Sequence, residues 1–423
     1  MENLNDFRNT SKEFDEIDSI SNFKNLFYNN KNLIYFDGNS LGKLPLTVIK
    51  NLNNVVQDEW GNDLIQSWNK KWINLPNEIS TILSNILCCN NEEMFIGEST
   101  SNNLFKLLYS LCNKNLYKGI YTDILNFPSD IYICQEISKS HNIPFNLISY
   151  NDEKTCDIQK LEEIITNSKN SIFVLSLVSY KSSYKYPLKS LNKIAKESNS
   201  TIIWDLSHAV GAIHIDLEES HTTYAIGCTY KFLNCGPGSP AFIYVNRKKI
   251  KEINSPINGW FSHENPFDFK QKYSQTHSIE KFRSGTPHIL SMSTMIDSLN
   301  ITLLAGTKNI DTKREKMIDF FNQLFKSYLE SRNFKLESPK DLSIIGSHVT
   351  ISHSESWRIC KSLINPQKGK KIIVDFRPNN YLRIAITPLY TSFDEILTLV
   401  VRLVEILDTG EFKLHDNSRE IVT

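Results

Sequence analysis

The chain has 423 residues, enough for two or three packed units, and its 47 Lys plus Arg residues balance 47 Asp plus Glu at zero formal charge. That balance argues against a nucleic-acid binder, which carries a basic excess or stripe. Hydrophobic residues make up 40%, with 23 Phe and 17 Tyr, enough for a large core. The polar start "MENLNDFRNTSKEFDEIDSI" lacks the apolar stretch of a secretory signal. No run approaches the roughly 20 apolar residues that span a bilayer, and "ILTLVVRLVEIL", broken by Arg402 and Glu405, reads as a packed helix. The expectation is a globular, cytoplasmic protein with neither a membrane nor a nucleic-acid partner.

In chain order, residues 1–58 read as an N-terminal arm that packs on a C-terminal domain. Residues 59–295 read as a large α/β domain. Within it "GESTSNNLFKLLYSL" (97–111) is a Gly, Ser and Thr turn opening an amphipathic helix. "SIFVLSLVSY" (171–180) and "STIIWDL" (200–206) are β-rich, and "PLKSLNKIAKESN" between them has helical spacing at Leu188, Leu191, Ile194 and Ala195. Strand, helix, strand at this spacing predicts βαβ units and a mostly parallel sheet covered by helices. "TYAIGCT" and "PAFIYVN" add two strands. Residues 296–423 read as a smaller α+β domain. There "TKREKMIDFFNQLFKSYLESR" forms a long amphipathic helix, with Phe321, Leu324, Phe325, Tyr328 and Leu329 on one stripe. The strands "SHVTISH", "KIIVDFR" and "YLRIAI" follow, interleaved with helices at 355–364 and 392–408.

Eight cysteines, at 88, 89, 112, 134, 156, 228, 235 and 360, include no C-x-x-C pair, and ten histidines show no H-x-x-x-H spacing. Buried free thiols are expected, with no metal site.

The chemistry centres on "CTYKFLNCGPGSP" (228–240), where Lys231 stands between an apolar run and a Gly/Pro loop. A lysine in this setting is usually a surface residue. Asp205 changes the odds, because it ends the apolar run Ile202–Trp204 and so sits at the carboxyl end of a strand, where α/β sheets bind ligands. A lysine with an acid suits pyridoxal 5'-phosphate: the lysine forms the Schiff base and the acid keeps the pyridine nitrogen protonated. "GESTSN" suits a phosphate cradle at a helix start, and "NFPSD" offers Phe127 for the ring face and Asp130 as a second acid.

"YFDGNSLGKLP" (35–45), "FPSD" (127–130), "WDLSHAVGAIHIDL" (204–217), "TYKFLNCGPGSPAF" (229–242), "NGWFSH" (258–263), "FRSGTPHIL" (282–290) and "LRIAITPLY" (382–390) together resemble the kynureninase family. The blocks lie in family order from about residue 33 to 407. The resemblance implies a fold-type I, pyridoxal-phosphate-dependent homodimer, with its active site at the subunit interface, that hydrolyses L-kynurenine, or its 3-hydroxy form, to the anthranilate and L-alanine. It implies that Lys231 carries the cofactor, that Asp205 faces the pyridine nitrogen and that His208 stands beside it. Thr100 and Ser101, with Ser99 next to them, resemble phosphate-cradle residues. Phe127 resembles the stacking aromatic, Asp130 the nearby acid and Ser176 a further cofactor contact. Tyr230 and Trp260 match phosphate ligands, and Thr286 completes the cradle from the partner. Arg383 resembles the arginine that grips the substrate carboxylate, with Asn39, Ser40 and Trp68 as further substrate contacts. "SGTP" and "QSWNKKW" resemble bacterial members that prefer kynurenine to 3-hydroxykynurenine. In the reaction so implied, Lys231 is the general base and Tyr230, beside it, the acid that protonates the β-carbon.

Other features have quieter readings. Trp60, Trp68 and Trp72 at near-helical spacing suit packing, His214, His221 and His263 suit structural or surface positions, and Arg377 suits a surface turn. The rival reading with the same cofactor is a cysteine desulfurase or small-substrate aminotransferase, since "YKFLNCGPG" partly resembles their lysine motif. Tyr230 replaces the expected His, however, and Cys360 falls in a helical pattern rather than a mobile loop. A non-catalytic scaffold is the rival from another class.

Overall fold

Side chains of the run Ser171–Ser176 alternate between two apolar layers, as a strand buried on both faces requires. Phe173 and Leu175 join a cluster with Trp204 and Leu191, whereas Ile172 and Val174 join one with Ile203 and Leu107. The helices Leu75–Ile86, Ile158–Asn167 and Leu188–Glu197 cover the first face, and Thr100–Cys112 and Pro128–His141 the second. This computed structural model describes residues 4–416 and 418.

Strand β1 (Leu33–Tyr35) lies in the N-terminal segment. Strands β2 (Met94–Ile96), β3 (Gly119–Asp123), β4 (Phe145–Ile148), β5 (Ser171–Ser176), β6 (Thr201–Asp205), β7 (Tyr224–Gly227) and β8 (Phe242–Val245) form a seven-stranded sheet, in the order β2-β8-β7-β6-β5-β3-β4. From β7 to β4 every neighbour is parallel, and only β8 runs against its neighbours β7 and β2. The expected α/β architecture with a mostly parallel sheet is thus present. Strand order reverses beside β3, and the carboxyl ends around such a switch point leave a crevice.

The C-terminal part is built on β9 (Lys335–Leu336), β10 (His348–Ser352), β11 (Lys371–Ile373), β12 (Asp375–Arg377) and β13 (Tyr381–Ala385). An antiparallel sheet runs β12-β13-β10-β9, while β11 pairs in parallel with β1. "KIIVDFR" reads as one strand in the sequence but divides at Val374, because its halves pair with β1 and with β13. The long helix begins earlier than its sequence pattern suggests, at Thr307, where Gly306 at φ +77° ends the helix before it. The helix Phe393–Thr409 begins at a Ser392/Glu395 capping box and stops at Gly410 in the left-handed conformation. The N-terminal helix Leu4–Ile17 sets Phe7 against Phe320 and Phe14 against Phe393, with ring centroids 6.1 and 5.0 Å apart. Among the described residues no single helix is long and apolar enough to cross a membrane.

Candidate active site

The parallel strands deliver their last residues to one crevice. Asp205 ends β6, Ser176 ends β5, and the turn after β3 leads through Asn126 to Phe127 and Asp130. Lys231 follows β7 by four residues, in a loop that turns through Gly236 and Gly238 at φ +94° and +71°. A cavity of about 580 Å³ opens there, lined by Thr100, Ser101, Phe127, Asp130, Asp205, His208, Tyr230 and Lys231, which brings together eight residues singled out in the sequence.

Lys231 is half-buried, and its Nζ lies 3.2 Å from His208 Nε2. Burial, then the Lys231 charge, holds the His208 imidazole well below its ordinary pKa. A neutral ring is the form that accepts a hydrogen bond from an ammonium. The same Nζ is 5.9 Å from the centre of the Phe127 ring and 5.8 Å from that of Tyr230. Asp205 is buried, and its Oδ1 accepts from Ser207 N at 2.9 Å and Ser207 Oγ at 2.6 Å. Burial raises its carboxyl, against the pull of Ser207 and Lys231. Asp130 is also buried, and its Oδ2 has no hydrogen-bond partner among the described residues. Burial and the neighbouring Asp205 push its carboxyl well above the carboxylate range. Such an orphaned oxygen calls for a hydrogen-bond partner from a bound group.

The helix Thr100–Cys112 points its first turn into the cavity, with Ser99 as N-cap accepting from Asn102 N at 3.3 Å. Ser176 is not on the cavity wall; its Oγ donates to Asn126 Oδ1 at 2.5 Å, and that oxygen also accepts from Phe127 N at 2.8 Å. Trp260 is 44% exposed beside Phe261, and Thr286 is exposed. Trp68 packs against Trp72 and Phe261, with centroids 5.7 and 5.9 Å away, so two of the three tryptophans do pack together.

Arg383 is only 2% exposed. Its Nε and Nη2 hold Asp375, Nη1 donates to Tyr180 O at 2.7 Å, and Nη2 reaches Ser40 Oγ at 3.4 Å. With its amide oxygen turned toward the guanidinium, Asn39 accepts from Nε at 3.3 Å and donates to Asp37 Oδ1 at 3.2 Å. Arg377, read as a surface arginine, lies on β12 and donates through Nε to Asp375 Oδ2 at 3.0 Å. Burial, then repulsion from Asp375, raises the Asp37 carboxyl to about 7. The native chain therefore keeps a proton that the unfolded chain releases near its ordinary value of about 4. Stability is full below that value and declines as pH rises through about 7. Asp37→Asn is expected to flatten the decline, measured as urea midpoints at about pH 5 and about pH 8.

Several participants escaped the sequence reading. Ser207 anchors Asp205, and Asp375 anchors Arg383. Gly42 N donates to Tyr230 O at 2.8 Å, and a Cβ on Gly42 would fall 2.3 Å from Lys231 O, so "NSLGK" lies directly on the lysine loop. The buried His348 ring stands 6.0 Å from that of His208, beside the Tyr180 and Lys181 backbone. All eight cysteines are free, and only Cys88 and Cys89 are not fully buried. Among the described residues no cluster of His, Cys, Asp and Glu suits a metal ion.

Residues 310–403 match the family described as the kynureninase C-terminal domain. The chain is 30% identical over 407 residues to a kynureninase of Pseudomonas fluorescens, covering 95% of each chain. The chain belongs to the kynureninase family. A kynureninase of Deinococcus radiodurans is 31% identical over 388 residues, covering 90% of this chain and 91% of that one. Among solved structures, a cysteine desulfurase from Thermococcus onnurineus superposes with a TM-score of 0.77 at 17% identity, covering 89% of this chain and 95% of that one. A C-DES variant with glycine linked to its PLP cofactor gives 0.78 at 15% identity, covering 90% and 99%. At such identities these structures show the fold, that of the fold-type I enzymes, and the kynureninase likeness comes from the sequence.

Proposed function

We propose that this kynureninase-family protein hydrolyses L-kynurenine to anthranilate and L-alanine, with pyridoxal 5'-phosphate held at Lys231. The observation that carries this is the meeting of Lys231, Asp205 and His208 at one cavity, in a chain similar to kynureninases along nearly its whole length.

The residues present suit the cofactor. Asp130 keeps a buried, unpartnered oxygen, Ser207 occupies only Oδ1 of Asp205, and hydroxyls cluster at a helix start that favours a phosphate. Thr100, Ser101, Tyr230 and Trp260 would hold the phosphate, with Thr286 contributed across a dimer interface. Phe127 and His208 would flank the ring, Asp205 would pair with its nitrogen, and Asp130 and Ser176 would support that end. Bound there, the cofactor supplies an electron-withdrawing ring that stabilises negative charge at the α- and β-carbons of the substrate.

The chain's own groups handle the protons and the substrate. Lys231 takes the α-proton, and His208 Nε2 accepts from its Nζ. Asp205 keeps the ring nitrogen protonated. Water adds to the γ-carbonyl, the Cβ–Cγ bond breaks with its electron pair left on the β-carbon, and anthranilate leaves. One proton of the water passes to solvent, the other restores Tyr230 after it has acted, and Lys231 returns its proton to the α-carbon as alanine forms. Tyr230 then protonates the β-carbon; burial pushes its hydroxyl up, so it holds its proton until an acceptor forms. Tyr230→Phe is expected to retain cofactor and lose turnover by about 10²–10⁴-fold, the range for one general acid, measured as steady-state rate beside bound cofactor.

Arg383, Asn39 and Ser40 would receive the substrate carboxylate. Five N–H groups serve the guanidinium, and Asp375, Tyr180 and Ser40 already engage four of them. A two-pronged grip therefore requires Ser40 to yield Nη2. Trp68, with Gly285 and Thr286, favours kynurenine over its 3-hydroxy form in this reading. Homodimerisation is supported by Trp60, Leu64, Ile65, Phe267 and Phe269, each more than half exposed, which a partner would cover. The pairing of β1 with β11 supports an arm at 1–58 packed on the C-terminal part; in this reading the large domain spans 59–295 and the small one 296–423. The eight free thiols favour a cytoplasmic setting, and the charge balance favours a protein that binds no nucleic acid. A desulfurase needs a mobile thiol, and Cys360 is wholly buried in the helix Ser356–Ile364.

The test is anthranilate fluorescence after L-kynurenine is added to protein loaded with cofactor. A yellow protein that releases neither anthranilate from L-kynurenine nor 3-hydroxyanthranilate from 3-hydroxykynurenine would overturn the reading.

A further inference from the structure

Glu98 stands where an acid is least welcome. It precedes Ser99, the N-cap of the helix Thr100–Cys112, and lines the same cavity. A carboxylate there opposes an anion seated at the helix start. The residue is nevertheless held firmly: its backbone takes φ +60°, unusual for a residue with a Cβ, and its carbonyl accepts from Ala241 N at 2.9 Å.

Lys106, two turns along that helix, is 1% exposed. Its ammonium donates to Glu98 Oε1 at 2.8 Å, Phe282 O at 2.8 Å and Ser284 Oγ at 3.1 Å, which uses all three of its protons. Ser284 Oγ donates to the same Glu98 oxygen. Gly259 closes the arrangement, since a Cβ there would meet Ser284 O at 1.6 Å. Two stretches singled out for the phosphate, those of Thr100 and Thr286, therefore meet at one buried ammonium, and that of Trp260 packs on Ser284 beside it. Burial raises the Glu98 carboxyl, but hydrogen bonds from Lys106 and Ser284 outweigh it and leave the group below its ordinary value. It is a charge that has to be cancelled.

We propose that Lys106 is a positioning residue that neutralises Glu98 and thereby sets the phosphate-dependent part of cofactor affinity, while it fixes the Ser284 segment beside the cradle. The inference rests on the cofactor reading above. A lysine that only braced the fold would affect every ligand of the cavity alike, whereas charge cancellation acts on the phosphate.

The experiment titrates pyridoxal 5'-phosphate and pyridoxal, which lacks the phosphate, into apo-protein and follows quenching of tryptophan fluorescence. Lys106→Met is expected to raise the Kd for pyridoxal 5'-phosphate about tenfold or more and that for pyridoxal less than about twofold. Added salt narrows the difference. Lys106→Met/Glu98→Gln is expected to recover most of the lost affinity. Glu98→Gln alone, whose amide oxygen can still accept from Lys106 and Ser284, is expected to bind the phosphate form at least as tightly as wild type. Equal weakening of both ligands, no recovery in the double variant, or weaker phosphate binding by Glu98→Gln would each overturn the proposal. Wild-type protein that bound neither ligand would instead sink the cofactor reading itself.

Discussion

Lys231→Ala is expected to yield a folded protein without the absorbance of lysine-bound cofactor and without anthranilate release. The side chain is half-buried and hydrogen-bonds His208, so truncation breaks no direct ion pair, and the buried Asp205 and Asp130, whose carboxyls its charge pulls down, can hold protons in its place. Stability should change little, by under about 1 kcal/mol, as for substitutions outside the core and the buried ion pairs. Turnover should fall beyond about 10⁴-fold, the upper end for a single general base, because the covalent anchor and the base are lost together. Absorbance spectra before and after dialysis, read beside anthranilate fluorescence, measure both. Residual turnover above that level would move the base to another residue, and His208, 3.2 Å from the amine, would be the first to examine.

Asp375→Ala is expected to destabilise the protein by about 3–5 kcal/mol, since it strands a buried guanidinium without its main counter-charge. Arg383 is 2% exposed, and Asp375 holds both its Nε and its Nη2. Asp37 offers partial relief. Repulsion from Asp375 is the second cause of its raised carboxyl, so loss of Asp375 lets Asp37 ionise more readily and take up the arginine. The loss should therefore be smaller at about pH 8 than at about pH 5. Urea unfolding at both pH values checks the size and the sign, and the KM for kynurenine should move with it, because Arg383 is the proposed carboxylate site. A loss below about 1 kcal/mol at both pH values would remove Asp375 from this role.

The site was legible wherever chemistry sits on a short motif. Asp205 at the end of "TIIWD", Lys231 four residues beyond the next strand, and the hydroxyls before "NLFKLL" all announce themselves by residue type and by place on a βαβ framework. The anchors of those residues were not legible. Asp375 in "VDFR" looks like the end of one strand, and Arg377 like a turn residue, until β12 and β11 part to different neighbours. Glu98 and Ser284 are 186 residues apart, and only packing brings them onto Lys106. His348 looks like any residue of a strand until β10 places it against His208.

By itself the sequence determined the α/β class and the family, and it singled out the lysine and the acid that meet at one cavity, because alternating apolar side chains and strand-end residues act over a few neighbours. Only the tertiary structure decided which charges are cancelled and which remain open to a ligand. That outcome depends on burial and on contacts between distant segments: Lys106 with Glu98, Asp375 with Arg383, and Gly42 against the Lys231 loop. A charge in the interior is stable only with its partner in place, and no local pattern names a partner that arrives from another part of the fold.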